Sequence, residues 1–119
     1  MRSFRRAAGA LLISFLCSAG FADASEPSGV QIPRSVAGDK GTYFLLEMKK
    51  QGDIIRAVHK RVGVDSIGYT VTETNCATMQ MREIGYSEVS PSAIRPHPTK
   101  WFDLVPGSSK SDLANFVCR

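Results

Sequence analysis

Few side chains in this 119-residue chain have the types and spacing that chemistry needs. The histidines are His59, inside Arg56-Ala-Val-His-Lys-Arg61, and His97, between Pro96 and Pro98. Catalytic zinc usually takes three protein ligands. No carboxylate pattern accompanies either histidine, so both read as ordinary surface residues and no metal site is assigned. Ser108 or Ser109, one of the histidines and Asp103 supply the inventory of a Ser/His/Asp site. A triad is a geometry rather than an inventory, and the Gly-x-Ser-x-Gly elbow is missing. Serines that follow Pro106-Gly107 and precede an apolar stripe read as helix caps. Gly107-Ser-Ser-Lys110-Ser111 shares letters with a phosphate loop, but it lacks that loop's first glycine and its Gly-Lys-Ser/Thr order. What remains there is a bare anion site at the free N–H groups of a helix start. No catalytic residue and no cofactor is expected.

The stronger signal is charge. Lys49, Lys50, Arg56, Lys60 and Arg61 crowd one predicted hairpin, diluted by Glu47 and Asp53. The bland reading is a solvated edge that discourages strand-to-strand aggregation. The functional reading is a shallow basic face for an acidic partner, such as a lipid headgroup or a polyanionic glycan. The formal net charge of +4 overstates this bias. Arg2, Arg5 and Arg6 precede an uncharged apolar run, Ala7 to Phe21, and Ala22-Asp23-Ala24 carries the small residues of a cleavage site. Residues 1–24 thus read as a secretory signal peptide, and Cys17 would leave with it. Without them 12 Lys+Arg face 10 Asp+Glu. No dense basic stripe interleaved with aromatics is left, so a nucleic-acid partner is not expected. No transmembrane segment is expected in the mature chain.

The processed chain has the length of one domain. It keeps two cysteines, Cys76 and Cys118. An even count in an exported chain favours a disulfide. Free thiols are the alternative, and a metal pair lacks both CxxC and nearby histidines. The bond would close a loop of about 43 residues and contribute about 4 kcal/mol on a loop-entropy estimate.

The elements that must position these residues follow from pattern and punctuation. Residues 25–41 are rich in Ser, Gly and Pro and read as a flexible leader, with an edge strand near Val30 to Ile32. Strands are predicted at Thr42 to Met48, running into Lys49-Lys50, at Ile54 to Val62, at Tyr69 to Thr74 and at Met79 to Ile84. Gln51-Gly52-Asp53, Gly63 to Gly68 and Asn75 to Thr78 are the turns between them. Connections this short allow only antiparallel neighbours. Gly85 to Lys100, with Pro91, Pro96 and Pro98, reads as a long surface loop with one helical turn at Ser90 to Ile94. Trp101 to Val105 is a last short strand, stopped by Pro106-Gly107. Ser108 or Ser109 then caps a helix. Asp112 stands three residues after Ser109 in the capping-box arrangement, and Leu113, Phe116 and Val117 form its apolar stripe. Trp101 is expected to roof the small core, with an exposed contact residue as the alternative. The fold class is α+β, mainly β: an antiparallel sheet of four to six strands with a C-terminal helix packed on it, in one small domain over residues 42–119.

Thr72-Glu-Thr-Asn-Cys76, Arg82, Trp101, the Val105-Pro-Gly-Ser108 turn and Leu113-Ala-Asn-Phe-Val-Cys118 together resemble the C-terminal pattern of surface-adhesin protein E-like domains. The resemblance covers about residues 42–119. It implies a sheet with the terminal helix laid on it and tethered by the disulfide, with Trp101, Pro106, Gly107 and Ser108 in structural roles. It also implies an exported protein of a Gram-negative bacterium, periplasmic, on the cell surface or secreted, some relatives of which stick to host matrix components. The expected function is a non-enzymatic, envelope-associated binding domain of adhesin-like kind. Its partner would be an acidic envelope component, a glycan or a host matrix protein. The second expectation is a periplasmic structural or inhibitory protein that binds another protein through a sheet edge.

Overall fold

A computed structural model describes residues 29–119. The expected signal peptide at 1–24, with Cys17, lies outside the described residues. The strands are β1 (Val30–Gln31), β2 (Thr42–Gln51), β3 (Ile54–Val62), β4 (Ile67–Asn75), β5 (Gln80–Ser87) and β6 (Phe102–Asp103), followed by one helix, α1 (Ser109–Val117). They form a single six-stranded sheet in the order β1-β2-β3-β4-β5-β6. Every neighbouring pair is antiparallel. The expected mainly β fold with a C-terminal helix is what the chain adopts. Among the described residues no helix is long and apolar enough to cross a membrane.

Local chemistry sets the turns. Gly52 has φ +62° and joins Gln51 to Ile54 through a two-residue hairpin loop, a place where glycine enters the left-handed region without steric cost. Between β4 and β5 the Asn75 Oδ1 accepts the N–H groups of Ala77 and Thr78 at 2.9 and 3.2 Å. Met79 follows in a left-handed conformation, φ 56°, so β5 begins at Gln80 rather than at Met79.

The expected break at Gly85 does not occur, and β5 runs on to Ser87. Gly85 lies within the strand, and a Cβ there would meet Ile94 Cγ2 at 2.6 Å and the Arg95 carbonyl at 2.7 Å. The proline-rich segment is folded back against the strand, not looped away. His97 N–H donates to the Ile84 carbonyl at 2.6 Å and Thr99 N–H to the Glu83 carbonyl at 2.9 Å. Pro91–Ala93 forms a single 3-10 turn, where a helical turn is predicted.

The core lies between one face of the sheet and α1. Ile55, Ala57 and Met81 from the sheet meet Leu113, Ala114 and Val117 from the helix, with Ile32 and Tyr43 beside them. Phe116, expected in the buried stripe, packs at the margin while Ala114 takes its place inside. Ser108 is the N-cap, its Oγ accepting Ser111 N–H at 3.1 Å. The capping box expected from Ser109 and Asp112 does not form: with Ser108 as N-cap the third helical position is Ser111, and Asp112, one residue on, turns to the N-terminal segment. Its carboxylate accepts from Arg34 Nε at 2.7 Å and from Ser35 N–H and Oγ at 3.0 and 2.6 Å. The turn before the helix has Pro106 at its second position and Gly107, φ +86°, at its third, closed by Ser108 N–H to the Val105 carbonyl at 3.0 Å, as in a type II turn.

Cys76 and Cys118 are bonded, with Cα atoms 5.5 Å apart. A helix of nine residues is marginal alone. Burial of its apolar side and this bond hold it at the end of β4.

Residues 29–41, expected as a flexible leader, are tied to the domain. Ile32 is 2% exposed within the core, and its N–H donates to the Tyr43 carbonyl at 2.8 Å. Arg34 and Ser35 hold Asp112, while Asp39 accepts from Arg61 at 2.8 Å and from the Tyr43 hydroxyl. Serine, glycine and proline content misleads here. The anchors are single residues spaced along an irregular segment, which no periodicity reveals.

Candidate functional site

The register of the sheet divides the hairpin cations between its two faces. Lys49 pairs with Arg56, Arg56 with Glu73, and Glu73 with Arg82. Side chains directly opposite in neighbouring strands share a face. Lys49, Arg56, Glu73 and Arg82 therefore form one row across β2, β3, β4 and β5 on the side away from α1. Trp101 stands opposite Arg82 by continuation of the β5–β6 pairing Met81↔Phe102, and the Arg82 guanidinium lies 4.9 Å from its ring centroid. Lys60 is on the same face, its Nζ 5.3 Å from the Phe44 ring.

Lys50 and Arg61 point the other way, paired with Ile55 and Tyr43 of the helix side. Arg61 is engaged: its Nη2 donates to Asp39 at 2.8 Å and its Nε to Tyr43 Oη at 3.0 Å. Hydrogen bonds from Arg61, Tyr43 and the Gly41 N–H hold the Asp39 carboxyl well below the usual carboxylate range. The five hairpin cations thus do not form one basic face. Three of them, Lys49, Arg56 and Lys60, share the outer face with Arg82 and Trp101.

Glu73 organises this row. Its Oε1 accepts from Arg82 Nε and Nη2 at 2.9 and 2.8 Å, and its Oε2 accepts from Arg56 Nη1 at 3.2 Å. The Glu73 side chain is 13% exposed and that of Arg82 35%. This largely buried carboxylate holds the Arg82 guanidinium by two bonds and Arg56 by one. Arg82 is thereby held over the indole, where a cation is attracted to the π face. Trp101 does not roof the core as expected. It is 38% exposed on the outer face, and Phe102, one residue on, packs against the core instead.

No protein-family model, curated protein or solved structure matches the chain.

The histidines are not members of this row and sit on different elements, His59 on β3 and His97 beside β5. His97 is exposed in the segment beside β5. His59, expected at the surface, is buried at 8% exposure between Leu45 and Thr70 on the helix side. Its alternation with Ile55 and Ala57 along β3 carried that signal. Burial, and then the charge of Lys110, lower its pKa to about 4, so the ring is neutral near pH 7. Its Nε2 has no hydrogen-bond partner, nor have the buried hydroxyls of Thr72 and Thr74. Among the described residues no three His, Cys, Asp or Glu side chains are grouped to hold a metal ion. Of the serines considered for catalysis, Ser108 is occupied as the cap, while Asp103 accepts from Gln80 Nε2 at 2.9 Å.

Arg82 enters the sequence reading only through the family resemblance, and Trp101 through that resemblance and as a core residue with an exposed contact as the alternative. The hairpin turns fix the register that brings Arg56, Glu73 and Arg82 into line, so strand alternation counted from those turns finds the row. Trp101 is beyond that method, since a long irregular segment separates it from β5.

Proposed function

We propose that this chain is an exported, non-enzymatic binding domain of the cell envelope, adhesin-like in the manner of the surface-adhesin protein E-like domains it resembles. Its contact surface is the outer sheet face built on Lys49, Arg56, Arg82 and Trp101, with Lys60 at its side. The ligand chemistry is an anionic glycan, carried by an envelope component or by a host matrix protein. The observation that carries this reading is the Arg82–Trp101 stack at 4.9 Å, flanked by Arg56 and Lys49 in one row. An aromatic face gives a sugar ring a flat apolar platform, and arginine forks match carboxylate and sulfate oxygens. Of the charges on this face, Lys49, Arg56, Lys60 and Arg82 outnumber Glu47, Glu73 and Asp103, so the bias is positive and modest.

The test is retention of the oxidised protein on a sulfated polysaccharide matrix across a salt series. Retention should fall with salt, because exposed charge is screened within roughly 10 Å at 0.1 M. It should be lost in an Arg82→Gln, Trp101→Ala double variant that still melts cooperatively. Equal retention of that variant and the parent would sink this assignment of the surface.

A further inference from the structure

β2 is longer than the strand that covers it. β1 pairs only at Val30↔Leu45 and Gln31↔Phe44, whereas β2 continues to Gln51. Gly29, the first described residue, has φ +78° and lies close against β2, where a Cβ would meet the Leu45 carbonyl at 2.4 Å. Among the described residues, the stretch from Glu47 to Gln51 therefore pairs with β3 on one side and with nothing on the other. All five of its residues are exposed. An unpaired row of N–H and C=O groups is a template for an added strand.

A groove accompanies this edge on the helix side. A hollow of about 350 Å³ is lined by Val30, Leu45, Met48, Phe116 and Val117. A second, of about 280 Å³, lies between Lys50 and the Cys76–Cys118 bond. Both are bordered by Met48, Val117 and Arg119, so they meet beneath the open edge. Met48, paired with Ala57 on the helix side, is 46% exposed at the junction.

We infer that this edge and groove take up an extended segment of a partner protein as a seventh strand, with an apolar side chain over Met48 and acidic side chains facing Lys49 and Lys50. This deepens the expectation of a protein bound through a sheet edge. It shares Lys49 with the outer row but lies at the β2 edge, away from Arg82 and Trp101. The charge of the occupant follows from residues that have no partner within the fold: among the described residues neither Lys49 nor Lys50 is in an ion pair. Lys49 faces the outer side and Lys50 the helix side, so consecutive acidic residues on an added strand meet both. A second copy is the rival occupant: pairing with Met48 at the centre would set Glu47 of each copy opposite Lys49 of the other but leave Lys50 facing Leu46 without an acidic partner, so two consecutive acidic residues of a partner protein match the edge better.

The test uses the full oxidised protein, isotope-labelled, and two blocked synthetic peptides. One is Thr-Asp-Glu-Val-Thr-Val, which in antiparallel register sets Asp, Glu and Val opposite Lys50, Lys49 and Met48. The other replaces Asp-Glu by Lys-Lys. The acidic peptide should shift the Glu47–Gln51 amides and slow exchange of those that do not pair with β3, and the basic peptide should not. Lys49→Glu with Lys50→Glu should weaken the acidic peptide by about tenfold, as expected for two exposed ion pairs, and should reverse the preference. Met48→Asp should weaken it without touching the lysines. Protection of the same amides in the free protein overturns the inference, because the edge is then filled by the chain itself or by a second copy. Shifts confined to Arg82 and Trp101, equal binding of both peptides, or no shift with either peptide overturn it as well. The Arg82→Gln, Trp101→Ala variant should lose polysaccharide retention and keep the acidic peptide, so the two results separate.

Discussion

Ser35 and Asp112 are joined twice across a separation of 77 residues: the Ser35 N–H donates to Oδ2 at 3.0 Å and its hydroxyl to Oδ1 at 2.6 Å. Arg34 adds a bond to Oδ2 at 2.7 Å, with its side chain 19% exposed and that of Asp112 4%. Burial pushes the Asp112 carboxyl up, but the bonds from Ser35 and Arg34 outweigh it, and its pKa is lowered. One carboxylate thus couples the start of α1 to the segment that precedes the sheet.

Asp112→Ala leaves Arg34 half-buried without its main partner and should cost about 2–4 kcal/mol, read as a fall in the urea midpoint at unchanged slope. Asp112→Asn, which keeps some hydrogen bonds, should cost less. The sign of the pH dependence is fixed by the lowered folded value. The carboxylate's contribution is complete above the unfolded pKa of about 3.9, and it is lost as pH falls through the lower folded pKa.

His59 acts at higher pH and with a different origin. Its folded pKa is about 4 against an ordinary value of 6.5, so the unfolded chain binds the proton more readily. Stability is complete above pH 6.5 and falls as pH drops from there toward 4. Between pH 7.5 and 4.5 the loss should be roughly 2–3 kcal/mol. Denaturation curves across that interval should show the slope in the parent and lose most of it in His59→Leu. An unchanged slope in the variant would assign it to another group.

The disulfide spans 42 positions. Paired Cys76→Ala, Cys118→Ala substitution should lower stability by about 4 kcal/mol on the loop-entropy estimate. The loss should include helical circular dichroism, because α1 has nine residues and little persistence without its packing. Dithiothreitol should give the parent the same midpoint as the double variant.

The meander is readable from the sequence because its turns are marked by residues with one conformational use. Gly52 and Asn75 set the β2–β3 and β4–β5 connections, the Gly63–Ser66 turn joins β3 to β4, and antiparallel order follows from their brevity. Gly85 carries the opposite meaning from the one its type suggests. It stays in the strand because Ile94 and Arg95 close over it, a contact between positions that local pattern does not join. Gly85→Ala should therefore destabilise by about 1–3 kcal/mol through overpacking, whereas alanine at a free loop glycine would be tolerated. A parent-like melting curve for Gly85→Ala would remove that contact from the account. The outer row is half readable: alternation from the turns aligns Arg56, Glu73 and Arg82, but the fold-back of the proline-rich segment alone brings Trp101 beside them.

Glu73 is where stability and proposed binding oppose each other. It accepts from both Arg56 and Arg82, so it steadies the sheet and also neutralises part of the cationic face. Glu73→Gln should lower stability by about 1 kcal/mol, the scale of partly exposed ion pairs. The same change frees two guanidinium groups and raises the net charge of the face by one. Retention on a sulfated polysaccharide should then persist to higher salt than in the parent. Arg82→Gln also breaks the pair, but it should weaken retention. If both substitutions reduced retention equally, the row would be acting through the integrity of the sheet and not through its charge.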